Sequence, residues 1–201
     1  MSRSLVIACV LSAGLAWGFS RPVAADEGEA EARTAELVRQ RAKLARLHRV
    51  LGLTTWISLA GTVAVGTLRY ANATGFGEPL CAEGNSPIFG REFGCGMGLR
   101  TWHLVAASVT MLSYVATRVI AAKMPDPLDA ASGNTSFSRR LRIHRLLSWV
   151  HLTGMIASAV LGFATTATDD AGTRDALAAS HLVAGYFTLA AVSTAGSLMA
   201  F

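Results

Sequence analysis

Four of the five histidines in this chain recur in register, and their spacing is that of a ligand set. His48 and His144 each open an apolar run, 96 residues apart, and Gly66 and Gly162 hold the same offset. His103 and His181 open two further runs, each followed by Leu-Val-Ala, 78 residues apart, and Thr110 and Thr188 keep that offset. A repeat of this kind points to a two-helix unit used twice. Ionisable side chains entering hydrocarbon are expensive and are retained for function. Neutral imidazole is a common axial ligand of haem iron, so two histidine pairs could hold two six-coordinate haem b groups and pass single electrons.

The elements that must position these residues are membrane helices. Hydrophobic residues make up 52% of the 201-residue chain and charged residues only 15%, against roughly 25% charged in soluble domains. Apolar runs at 50–70, 104–122, 146–166 and 182–201 each approach the roughly 20 residues needed to cross a bilayer core. The last has no charged residue and the third has only His151, so neither leaves a polar face for water. The expected fold is all-α: an integral membrane four-helix bundle built from a tandem two-helix repeat. The net charge of +5 does not indicate nucleic acid, because the arginines cluster beside apolar runs, where lipid headgroups lie.

Consecutive spans run antiparallel, so alternate helices begin on the same side. His48 then meets His144 at one level, and His103 meets His181 at the other, as in bundles that build cofactor sites from facing helices. One turn after each histidine, on the same face, stand Gly52, Ala107, Ser148 and Gly185. These small residues leave room for a macrocycle, although close helix packing alone selects them too. Arg49 and Arg145, beside His48 and His144, are candidate partners for haem propionates, with Arg46 and Arg142 nearby. Snorkelling to headgroups is the competing role. Arg100 has the same two readings, and the His103/His181 level is less well furnished with cations. His151 lies seven residues after His144 but aligns with Thr55 in the repeat, which fits a structural, hydrogen-bonded histidine.

Residues 1–25 have the layout of a signal peptide, with Arg3, an apolar segment and small residues before Asp26; a short N-terminal anchor is the alternative. Residues 26–46 read as an amphipathic charged lead-in that could lie on the membrane surface, and 47–201 as the four-helix haem-binding domain. A cleaved signal would place Asp26 outside the cytoplasm. The positive-inside rule gives the opposite orientation, because the connection from Arg118 to Arg145 is the basic one. Cys81 and Cys95 flank a turn-rich loop and are expected to form a disulfide, which sides with the positive-inside orientation.

The order of four helices, each with a histidine near its beginning, resembles the core of the cytochrome b561 family and its ferric-reductase relatives. That resemblance covers roughly residues 45–201 and rests on helix order and histidine placement. It implies that His48 and His144 hold one haem, that His103 and His181 hold the other, and that electrons cross the membrane between them. It also implies that His48 and His144 face the non-cytoplasmic side. The two flanking helices of six-helix members are lacking. The expected function is therefore a dihaem b-type cytochrome of a bacterial inner membrane, working with a quinone or a redox protein, within or beside a larger membrane complex. The alternative is a haem-free structural or assembly subunit whose histidines anchor helix ends.

Overall fold

The computed structural model describes residues 27–200. The signal-peptide or anchor segment expected at 1–25 lies outside the described residues. Four helices account for most of the chain: α1 (Glu27–Ala73), α2 (Met97–Lys123), α3 (Ser136–Ala167) and α4 (Ala171–Ala200). All four are long and apolar enough to cross a membrane. The chain is thus an all-α, polytopic membrane protein.

Helix α1 has 47 residues, about 70 Å at ~1.5 Å per residue, more than twice a bilayer core of ~30 Å. The lead-in and the first span are therefore one uninterrupted helix. No break separates them at which the lead-in would turn onto the membrane surface, and no proline occurs in it. Its first twenty residues project beyond the apolar region. Arg41, seven residues before His48, ties this projection to the α2–α3 connection by donating to Pro125 O (2.6 Å) and Asp126 Oδ1 (3.0 Å).

The starts of α3 and α4 have local side-chain caps. Thr135 Oγ1 accepts from the Ser138 N–H (3.1 Å) and caps α3. Asp170 Oδ1 accepts from the Thr173 N–H (2.8 Å) at the start of α4, and these bonds to Thr173 hold its carboxyl below the usual carboxylate range. The α3–α4 connection is only 168–170, which forces a tight antiparallel hairpin. The α1–α2 connection is longer and is stapled by the Cys81–Cys95 disulfide, with Cα atoms 5.8 Å apart. It includes a π-helical turn, Arg91–Cys95, just before α2.

Helices α1 and α2 pack along their lengths, as do α3 and α4, and α1 also packs against α4. Trp56 Nε1 donates to Ser193 Oγ (2.8 Å), and the Thr67 and Tyr186 hydroxyls share a hydrogen bond of 2.9 Å, both joining α1 to α4. Leu59, Val63, Tyr114 and Met155, one or more from each of α1, α2 and α3, form the buried centre, and Leu189 and Val192 of α4 pack on it. Large apolar side chains such as Leu112, Leu146, Val160 and Phe163 point outward, as expected for lipid-facing positions.

Asn72 fixes the disulfide loop to the end of α1. It is fully buried, donates to Ile88 O (3.0 Å) and Gly94 O (3.2 Å), and accepts from the Ile88 N–H (2.9 Å). Replacing it by Ala strands those backbone groups at about 1–3 kcal/mol each. Asn72→Ala is therefore expected to open the loop, with limited proteolysis cutting between Cys81 and Cys95 in the variant and sparing the parent protein.

Candidate cofactor sites

The four repeat-related histidines meet in two pairs. His48 of α1 and His144 of α3 have ring centroids 6.2 Å apart at an interplanar angle of 83°. His103 of α2 and His181 of α4 lie 5.9 Å apart at 85°. All four side chains are half-buried. Yet α1 does not pack along α3, nor α2 along α4. The rings therefore face each other across gaps between helices whose backbones stay apart.

A single rule positions every ring. His48 Nδ1 is 3.3 Å from Thr117 O, His103 Nδ1 is 3.2 Å from Thr62 O, His144 Nδ1 is 2.9 Å from Ala195 O, and His181 Nδ1 is 2.8 Å from Ser158 O. Each acceptor lies in the other helix of the same hairpin, 14 residues after that helix's own histidine. Each hairpin is thus a reciprocal clasp: α1 and α2 orient one another's histidines, and so do α3 and α4. Fourteen residues also set the spacing of the two levels, about 21 Å along the axis at ~1.5 Å per residue.

The carbonyl acceptor fixes the chemistry of the ring. A carbonyl can only accept, so Nδ1 carries the proton and Nε2 keeps its lone pair. Backbone carbonyl bonds of this kind orient metal-binding histidines and raise their basicity.

The repeat-related glycines serve this clasp. A Cβ at Gly66 would stand 2.9 Å from His103 Cε1, and one at Gly162 would stand 3.1 Å from His181 Cε1. Gly66 and Gly162 lie one turn after the acceptors Thr62 and Ser158, so the missing side chain lets the ring reach the backbone. Gly52, the small residue after His48, has open space around its Cβ position instead.

No family model, curated protein or solved structure matches this chain.

The residues fit a bis-imidazole macrocycle by two observations. First, an imidazole nitrogen lies about 1.1 Å from its ring centroid and metal–imidazole bonds run about 2 Å, so two rings on one ion have centroids about 6 Å apart. The two observed separations match that span. Second, no group of three or more His, Cys, Asp or Glu gathers among the described residues. A metal held here by protein alone would lack the usual ligand number, whereas porphyrin supplies four nitrogens itself.

The arginines divide differently from expectation. Arg145 donates to Asp126 Oδ2 (2.8 Å). Asp126 therefore bridges Arg41 and Arg145 while accepting from the Ala130 N–H (3.1 Å). That backbone bond and the two guanidiniums hold the Asp126 carboxyl below its usual range. Arg49 is exposed and makes no ion pair among the described residues. At the other level the structure adds a residue that sequence reasoning missed. Arg69 of α1 shares a cleft with Arg100 of α2. No histidine neighbours it in sequence; the antiparallel return of α2 brings it there.

His151 is not a fifth ligand candidate. It is buried and its Nδ1 hydrogen-bonds the Tyr114 hydroxyl at 2.9 Å. This pair has no counterpart in the repeat, where Thr55 and Val192 occupy the equivalent positions.

Proposed function

We propose that this chain is a dihaem b-type cytochrome that carries electrons through a membrane. The observation that carries the reading is the double histidine pair, each ring held by a backbone carbonyl across its own hairpin and facing its counterpart at ligand-sharing distance. His48 and His144 would hold one haem b, and His103 and His181 the other. Bound haem would supply a reversible one-electron ferric/ferrous couple.

The protein's own part is positioning and insulation. The carbonyls of Thr62, Thr117, Ser158 and Ala195 lock each imidazole in one tautomer and one rotation, so no ring must reorganise when charge arrives. The buried centre of Leu59, Val63, Tyr114 and Met155, with Thr55, Thr110 and Thr188 also buried, fills the interior of the bundle. Burial of this kind tunes reduction potential through the local dielectric.

Orientation follows from charge and oxidation. The disulfide favours an oxidising compartment for the α1–α2 loop. The lead-in and the α2–α3 connection, at the opposite end, carry the arginine-rich stretches that favour the cytoplasm. The His48/His144 level is then cytoplasmic and the His103/His181 level faces out, the reverse of the orientation implied by the b561 resemblance. The membrane would be a bacterial inner membrane. The donor and acceptor are a quinone or redox proteins on its two sides, with membership of a larger complex compatible with the exposed helix faces.

The ring planes give a spectroscopic test. Near-perpendicular imidazoles, as at 83° and 85°, would leave the d orbitals of an iron bound between them nearly degenerate. The oxidised protein should show highly anisotropic low-spin EPR signals from both haems. The rhombic spectrum of parallel imidazoles, or a high-spin signal, would contradict this ligation.

A further inference from the structure

We propose that Arg69 and Arg100 form a carboxylate-binding clasp on the His103/His181 side of the membrane. The two arginines come from different helices and both line a cleft of about 290 Å³ whose other walls include Ala73, Cys95, Gly96 and Met97. No acidic residue lines it, and neither arginine has an ion pair or hydrogen bond among the described residues. Elsewhere in this protein a comparable arginine pair, Arg41 and Arg145, is bridged by Asp126. The Arg69/Arg100 pair lacks such a bridge, and an external carboxylate would complete it.

The position of the cleft bears on the source of that carboxylate. Arg100 lies one turn before His103, and Arg69 lies three residues after Gly66, which abuts the His103 ring. Arg69 is half-buried beneath the disulfide-held loop, so its surroundings include protein walls as well as the membrane edge. We assign the carboxylate to a propionate of the outer haem, an assignment that rests on the dihaem reading. A small soluble carboxylate would satisfy the same clasp by the same chemistry.

The test uses the full chain with Arg69→Gln, Arg100→Gln and Arg69→Lys, read by potentiometric titration of each haem and by thermal stability in the presence of succinate. Removing a cation favours the more positive ferric iron. Each Gln variant should therefore shift the reduction equilibrium of one haem about tenfold towards ferric, ~59 mV for one electron, with Arg69→Lys in between. The affected haem should be the one lost in His103→Ala, and the other should keep its potential. If succinate instead stabilises the parent protein saturably, and the Gln variants lose that response, the clasp stands with a soluble carboxylate as its occupant. If the folded protein binds no haem, the dihaem reading fails and the succinate titration alone decides the clasp. Should Arg69→Gln fail to insert, Arg100→Gln and the parent's succinate response carry the test. Unchanged potentials together with no succinate response would overturn the clasp and return both arginines to headgroup contact.

Discussion

On the proposed dihaem reading, substituting His103 or His181 by Ala should remove one haem and leave the other in place. Haem per chain should fall from about two to about one in purified protein. The same halving follows from His48→Ala or His144→Ala, but the surviving haem is then the other one, with a different potential. This selectivity comes from the architecture. The two levels lie about 21 Å apart along the helices, and no histidine serves both. Coupling between them runs through the reciprocal carbonyl bonds, because each acceptor belongs to the helix that bears a histidine of the other level. Those backbone oxygens survive every histidine substitution, so the remaining ring keeps its partner. Equal loss of both haems from any single change would instead mean one cooperative site or a collapsed bundle, and far-UV circular dichroism separates those two outcomes.

Gly66→Val should empty the outer level as completely as His103→Ala, although Gly66 is no ligand. Even the Cβ of the new side chain would stand 2.9 Å from His103 Cε1 and 3.2 Å from His103 Nδ1, inside normal contact distance. The branched methyl groups add to that clash, and valine's stiff χ1 offers little escape in a helix. The ring must leave Thr62 O, losing the bond that fixes its tautomer and its placement beside His181. Gly162→Val should act through His181 in the same way, with its Cβ 3.1 Å from that ring. Gly61→Ala is the matched control: Gly61 is exposed and nothing lies within 4 Å of its Cβ position, so haem content should stay near the parent value. Haem per chain and the reduced spectrum at the outer level give the readout. Full retention in Gly66→Val would show that the ring does not occupy the position described.

Much of this arrangement was legible in the residues, for physical reasons. Hydrocarbon demands apolar runs of fixed length, so four runs of about 20 residues gave four spans directly. The matched offsets of His48/His144 and His103/His181 followed from a two-helix unit used twice, and antiparallel packing then dictated which rings could meet. The disulfide was readable because two cysteines flank one loop. The backbone carbonyls that hold the rings left no side-chain signature, since Thr62, Thr117, Ser158 and Ala195 contribute only main-chain oxygen. Their one trace was the shared offset of Gly66 and Gly162, which marks where His103 and His181 pass. The uninterrupted α1 was obscured by the change from charged to apolar composition, which alters the environment of a helix and not its hydrogen bonding. Arg145, a candidate propionate partner, hydrogen-bonds Asp126, a loop residue 19 positions earlier, which local spacing could not reveal. Arg69 was invisible for a similar reason: it reaches the outer level only through the return of α2.

The most direct test of the central claim is the dithionite-reduced minus oxidised visible spectrum of the detergent-purified full chain, with haem quantified as the pyridine haemochrome. Two bis-histidine sites predict low-spin b-type bands and about two haems per polypeptide. A folded, colourless protein from haem-replete cells would contradict the account and leave a haem-free membrane subunit whose paired histidines serve only to pack its helices.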